Sequence, residues 1–146
     1  MSKKIPFDTT LHVRDTCLCL HLQRAARALA RRFDEALRPA GLTNGQFSLL
    51  MALNRPQPPS IAPVASLLAM DRTTLTAALK PLQRDGMVRI EIDPGDRRNR
   101  LLVLTDAGHL ALARALPIWL ATHADVEAGL PDQDADRLRA GLLALA

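Results

Sequence analysis

"SIAPVASLLAMDRTTLTAALKPLQRDGMV", Ser60 to Val88, holds two helix patterns and the start of a strand. Ser60 stands where a first helix needs a cap, and Pro63 falls in its first turn, where a missing N–H costs nothing. That helix is expected to end near Leu68. Asp71 caps the next one, in which Leu75, Ala78, Leu79 and Leu82 recur at i, i+3, i+4 and i+7 as one apolar stripe. Asp85-Gly86 ends it. Pro81 loses one backbone bond and crowds the Ala77 carbonyl, so a bend or loosening of the last turn is expected with the N-terminal half intact. A short connection around "AMD" joins the helices, and Ala65 is the small residue that lets the second cross the first closely.

The next residues complete the motif. "MVRIEI" (Met87–Ile92) alternates Val88, Ile90 and Ile92 with Arg89 and Glu91, the pattern of a half-buried strand. "DPGD" turns the chain and "RLLVL" returns it. Two short helices, a tight turn and a hairpin make a winged helix-turn-helix in outline. The fold class expected is mainly α with a small β-hairpin wing, a winged helix-turn-helix lobe plus a helical dimerisation region.

Residues 1–9 read as a loose arm. Thr10 to Arg38 lacks Pro and Gly and repeats Leu18, Leu22, Ala25, Leu29, Phe33 and Ala36 at helical steps, one long amphipathic helix stopped by "RPAGL". At about 40 Å it outruns the core of a monomer this size, so it is expected to pack on a partner chain. "LTNGQFSLLMAL" is a short helix with Thr43 as cap, and "NRPQPPS" is a loop on proline content alone. Thr105-Asp106 opens a helix to about Gly129, interrupted at Pro117, and "PDQDADRLRAGLLALA" closes with an amphipathic helix. Residues 1–40 are therefore assigned to an arm and dimerisation helix, 41–104 to the winged lobe and 105–146 to C-terminal dimerisation helices of one continuous domain.

Composition bounds the function. The 146 residues are 48% apolar, enough for a core, and only 3% aromatic with no tyrosine. The apolar runs are too short to span a membrane and the N-terminus lacks an apolar signal region, so no membrane association and a cytoplasmic location are expected. Net charge by segment is +4 for residues 1–40, 0 for 41–71, +3 for 72–104 and −3 for 105–146. A basic centre with an acidic tail fits one face meeting an anion. A phosphate-binding glycine loop, nucleophile elbow or metal motif is not found, so an enzyme is not expected and no cofactor is called for. Cys17 and His21 supply two metal ligands at most, too few for a structural zinc site. His12, His109 and His123 form no metal pattern with them.

The second helix turns Arg72, Thr73, Thr74, Thr76, Ala77, Lys80 and Arg84 away from its apolar stripe. Short hydroxyls at its N-terminal end and cations further along suit base edges and phosphates. Three threonines in four positions cost helix propensity, which favours a binding role over surface filler. At the hairpin, Arg97, Arg98 and Arg100 fit a narrow, strongly negative minor groove. Asp96 beside them is expected to hold Arg72 or Arg98 in its rotamer. A winged-helix protein-interaction module would share the fold but would not need these cations. The partner expected is double-stranded DNA.

"GLTNGQFSLL", the Ser60–Val88 stretch and "DPGDRRNRLLVLTDAG" resemble the MarR family of prokaryotic winged-helix transcriptional regulators. The most specific piece is the Asp two residues before Arg in the wing, followed by Leu-Thr-x-x-Gly. The resemblance implies a homodimer joined through the first and last two helices on a pseudo-palindromic operator. Residues 72–76 would enter the major groove and Arg98 the minor groove. Many members are repressors released by small aromatic or lipophilic effectors bound between the dimerisation helices and the DNA-binding lobe. Pro81 and the missing tyrosines depart from many members. "CLCLHLQRAARALARRFDEAL" further resembles the first helix of organic-hydroperoxide sensors, with Cys19 at the reactive thiol, an alternative redox role. Gln23 and Phe33 stand where those sensors use tyrosines, and a sensing thiol must be ionised and reachable. Cys17 and Cys19, about 200° apart on a helix, are not expected to pair. The other reading makes them core or interface residues. Trp119 is read as packing, though it could line a ligand pocket.

Overall fold

The computed structural model describes residues 4–132 and 134–146, and four of its helices begin where a side chain accepts from an otherwise unpaired N–H. Thr43 and Gln46 exchange bonds across the first turn of α3 (Asn44–Leu53), at 3.1 and 3.0 Å. Asp71 accepts from Thr74 N–H at 2.7 Å to open α5 (Arg72–Arg84), and Thr105 accepts from Gly108 N–H at 3.1 Å to open α6 (Asp106–Ala128). Asp134 does the same for Arg137 at the start of α7 (Ala135–Leu145), at 2.9 Å. Each such cap satisfies a donor the helix itself cannot. Among the described residues no helix is long and apolar enough to cross a membrane.

The chain divides into two compact units, Met1–Arg32 and Phe33–Ala146. In the first, the single helix expected from Thr10 to Arg38 is two: α1 (Phe7–Thr16) and α2 (Leu18–Leu37), the last turn of α2 belonging to the second unit. They part at Cys17, whose ψ of 110° is extended. Neither Pro nor Gly causes this. The Thr16 hydroxyl donates to the His12 carbonyl at 2.7 Å, Cys17 N–H still reaches the Val13 carbonyl at 2.9 Å, and His21 Nδ1 lies 2.7 Å from the Cys17 carbonyl. Part of the expected N-terminal arm is also helical, since α1 starts at Phe7; residues 1–3 of that arm lie outside the described residues.

In the second unit, the 3-10 turn Arg38–Ala40 and Gly41 at φ 74° stop α2 as the "RPAGL" stretch requires. Leu37, Leu50, Val64, Leu75, Leu79, Leu82 and Leu102 are each at most 1% exposed and form the centre of the core. They come from α2, α3, α4 (Ile61–Leu67), α5 and β2 (Asp96–Leu104), so the core ties the recognition elements to their support. At about 1.5–3 kcal/mol for each such side chain, the α5 leucines alone fix which face of that helix looks outward.

Three expectations change here. Ser60 sits at the cap position of α4, but among the described residues its side chain makes no cap bond; Ser60 is bridged to Leu101 and Pro59 accepts from Leu102 N–H at 2.8 Å. The end of "NRPQPPS" thus adds a strand stub to the wing, at an edge where a proline that cannot donate is tolerated. Pro117 does not interrupt α6, which runs unbroken to Ala128. Pro117 and Ala113, the residue whose carbonyl loses its bond, are both exposed, so water can serve that oxygen. Pro81 likewise leaves α5 helical to Arg84, with Asp85 N–H reaching the Pro81 carbonyl at 2.9 Å.

The turn between α4 and α5 has a specific construction. Ala69 takes φ 51°, with its N–H on the Ser66 carbonyl at 3.2 Å and Met70 N–H on the Ala65 carbonyl at 2.9 Å. Gly86 ends α5 in the same way at φ 75°, with Met87 N–H on the Leu82 carbonyl at 2.9 Å. Both are the left-handed stop that closes a helix sharply, and at Ala69 a side chain bears the strain glycine avoids.

Candidate nucleic-acid interface

α5 buries Leu75, Leu79 and Leu82 and leaves Arg72, Thr73, Thr74, Thr76, Ala77, Lys80 and Arg84 exposed, with Ala78 half-buried at the margin. The outward face therefore carries hydroxyls in its first two turns and cations at 72, 80 and 84. Arg84 leans towards Asp85, 4.0 Å away and too exposed to bind it firmly.

The α5 cap also titrates. Thr74 N–H and then the Thr74 hydroxyl hold the Asp71 carboxyl below the usual carboxylate range, against a weaker opposing effect of desolvation and with the smallest help from Thr73 N–H. A folded-state pKa lower than the unfolded one adds stability at neutral pH that disappears as pH falls from about 4 through the folded value. Asp71→Asn keeps a good capping residue without the charge. Thermal melts taken from pH 6 to pH 3 are expected to fall less in that variant than in the wild type. Equal slopes would remove the cap from the acid response.

β1 (Val88–Asp93) pairs antiparallel with β2, Val88 opposite Leu104 and Ile92 opposite Arg100, and the register shifts between Ile92 and Asp93. The alternation expected of β1 fades towards the tip, where Ile92 is 57% exposed. Asp93 shapes the turn by accepting from Gly95 N–H at 2.8 Å and from Asn99 Nδ2 at 3.5 Å. The turn proper is Pro94-Gly95, so the arginines lie on the returning strand rather than at its tip.

Their side chains differ. Asp96 accepts from Arg98 N–H at 3.1 Å and from Arg98 Nε at 3.4 Å, which makes Arg98, and not Arg72, its neighbour. Arg98 is 93% exposed even so, held at its base with its Nη groups available. Arg100 folds back, donating to the Arg97 carbonyl at 2.9 Å and the Asn99 carbonyl at 3.4 Å. Arg97 is exposed beside it.

A separate feature carries little signal in the sequence. Phe47, Ser48, Met51 and Ala52 of α3, Leu67 of α4, and Leu116 and Trp119 of α6 line an apolar groove of about 350 Å³. Trp119 stacks on Phe47 with centroids 5.8 Å apart and planes 18° apart. A lone tryptophan in an alanine-rich helix is the sole hint of it.

In the first unit, Cys19 is exposed rather than in a core, and Cys17 is half-buried at the helix break; both thiols are free. Gln23 Nε2 donates to Cys19 Sγ at 3.5 Å, and Arg27 reaches Gln23 Oε1 at 3.3 Å.

The family model described as "MarR family" matches residues 42–99, the helix-turn-helix and most of the wing. The transcriptional activatory protein BadR of Rhodopseudomonas palustris is 34% identical over 94 residues, 62% of this chain and 54% of BadR. The chain thus spans about half the length of that relative. The HTH-type transcriptional repressor NicR of Pseudomonas putida is 30% identical over 112 residues, covering 77% of this chain and 68% of NicR. The crystal structure of the M. tuberculosis regulator MosR in complex with DNA superposes with a TM-score of 0.82 at 38% identity, over 89% of this chain and 93% of that one. With the lobe, the capped outward-facing helix and the arginine-bearing hairpin in place, the chain belongs to the MarR family of winged-helix transcriptional regulators.

Proposed function

We propose that the chain is a sequence-specific double-stranded DNA-binding regulator, not an enzyme, that works in the cytoplasm as a homodimer on a pseudo-palindromic operator. The observation that carries this reading is the pairing of two exposed cationic elements on one lobe: α5, pinned by three buried leucines, and β2, with Arg98 braced at its base by Asp96. Hydroxyls and Arg72 at the start of α5 suit base edges in a major groove, and Lys80 and Arg84 suit flanking phosphates. Arg98 suits the adjacent minor groove. Arg100 serves the same end indirectly, clamping the wing backbone between Arg97 and Asn99.

Dimerisation is supported by apolar faces left bare. On α7, Leu138, Leu142 and Leu145 share one face at i, i+4 and i+7 and are 47%, 41% and 58% exposed. On α6, Leu110, Leu116 and Leu120 are exposed too. Such faces mark interfaces. Two lobes related by a twofold axis then meet half-sites about 34–36 Å apart. BadR is described as an activator and NicR as a repressor. Repression follows wherever the operator overlaps a promoter. The apolar groove at Phe47 and Trp119 suits an uncharged aromatic or lipophilic effector, since the described residues lining it are apolar side chains apart from Ser48 and the Trp119 N–H.

Arg98→Ala tests the reading. Operator affinity, measured by fluorescence anisotropy on a fragment selected from genomic DNA, is expected to drop at least about fivefold, the low end of about 1–3 kcal/mol for a good base contact. The far-UV spectrum should not change. Unchanged affinity would refute the wing assignment.

A further inference from the structure

At the end of the wing Asp93 faces Asp96, and Ile92 faces Arg100. Arg97, Arg98 and Asn99, which lie between, have no partner on β1, so β2 carries a three-residue bulge. A bulge bends its strand and re-aims the side chains within it. The ladder cannot hold such a segment, and side chains hold it here. Asp96 takes the Arg98 N–H, and Arg100 donates to the Arg97 and Asn99 carbonyls. Asp93 Oδ2 takes Asn99 Nδ2 at 3.5 Å.

The turn beside the bulge does not suit its strands. Two-residue loops that match the twist of a hairpin need a positive φ at their first central residue, which Pro94 cannot supply. Gly95 is not left-handed either. The turns that remain splay the strands. Asp93 opposes this by accepting from Gly95 N–H at 2.8 Å, closing the turn through its side chain. One carboxylate thus serves the turn with Oδ1 and the bulge with Oδ2. Asp93 and Asn99 are half-buried, while residues 94–98 and 100 are exposed.

Charge and geometry disagree about Asp93. A carboxylate on a DNA-facing hairpin repels phosphate, and both bonds of this one go to uncharged donors. By charge alone the position is better without it. By geometry an aspartate is wanted, because both of its oxygens are used and an asparagine has only one.

We propose that Asp93 and Asn99 are positioning residues for Arg98: they close the turn, tie it to the bulge, and so preset the backbone from which Arg98 projects. The wing is then ordered before it meets DNA, and less freedom is lost on binding. This inference rests on the DNA-binding reading and extends it to two residues that act through Arg98.

Operator binding of the full-length protein, followed by anisotropy, tests it with Asp93→Ala and Asn99→Ala, each alone and combined with Arg98→Ala. Loss of a negative charge should tighten binding, whereas loss of the brace should weaken it. Each single variant is expected to bind about three- to tenfold more weakly, the usual worth of ordering a side chain in advance. In the Arg98→Ala background neither should weaken binding further, since the residue they position is gone. Without DNA, backbone order parameters at residues 95–99 should fall from about 0.85 to below about 0.6 in Asp93→Ala. Either single variant binding as well as the wild type or better overturns the proposal. An equal loss in the Arg98→Ala background does so too, because it marks a general structural role, as does unchanged backbone order. Should Asp93→Ala fail to fold, Asn99→Ala carries the test through the same binding comparison. A wild type that binds no duplex at low salt sinks the DNA-binding reading itself. A wild type that binds, with variants that bind equally well, sinks this proposal alone.

Discussion

Operator affinity is expected to fall by about three to five orders of magnitude between 50 and 200 mM salt, the consequence of releasing counterions from about 6–10 phosphates. The number follows from the exposed cations. Each protomer offers Arg72, Lys80 and Arg84 on α5 and Arg97 and Arg98 on the wing. Arg100 is committed to its own backbone and is not counted. With two protomers, Lys80, Arg84 and Arg97 alone give six contacts and the groove-facing Arg72 and Arg98 raise the total to ten, the two ends of that range. Anisotropy titrations at four or more salt concentrations give log affinity against log salt, with a slope of about −0.9 per contact. Arg97→Ala removes two contacts from the dimer and should flatten the slope by about 2, whatever the operator sequence. A wild-type slope shallower than about −2 would mean that the interface does not work by neutralising a polyanion, and an unmoved slope in Arg97→Ala would take that residue off the backbone.

The features legible in the sequence are those encoded at short spacing. Leu75, Leu79 and Leu82 name the buried face of α5 by period alone, and Asp71 names its start because a capping carboxylate acts within three residues. The outward face is then fixed by subtraction. The break at Cys17 is not legible, because the helical pattern continues through it and neither Pro nor Gly marks it. The left-handed turn at Ala69 is hidden by a residue that usually avoids it. At the wing, composition announces the arginines, but nothing in their spacing says that Arg98 projects while Arg100 folds back; that depends on strand register and on Asp96. The aromatic wall is least visible of all. Phe33, Phe47, Trp119 and His123 come from three helices, and only the packed fold brings them together.

Gly108→Ala is expected to destabilise the fold by about 1–3 kcal/mol, the usual cost of forcing a methyl group into a filled site. The reason lies in the Leu-Thr-x-x-Gly signature at Leu104–Gly108. Thr105 is held on three sides: its N–H donates to the Met87 carbonyl at 3.1 Å, its hydroxyl donates to the Gly86 carbonyl at 2.6 Å, and the same oxygen accepts from Gly108 N–H. These bonds bring the first turn of α6 against the chain leaving α5, so closely that a Cβ on Gly108 would collide with the Met87 carbonyl and stand 2.6 Å from Leu104 Cδ1. Leu104 can turn aside, but the Met87 carbonyl is backbone already bound to Thr105. Relief therefore requires α6 to back away and lose a bond. Gly45→Ala is the control: it also lies in the first turn of a helix, its nearest neighbour is 4.0 Å off, and the change should stabilise slightly through helix propensity. Melts of the two variants should separate in opposite directions from the wild type, Gly108→Ala falling by roughly 3–10 °C. A Gly108→Ala protein with the wild-type midpoint would show that the junction yields without cost. The glycine's place in the motif would then need a reason other than close approach.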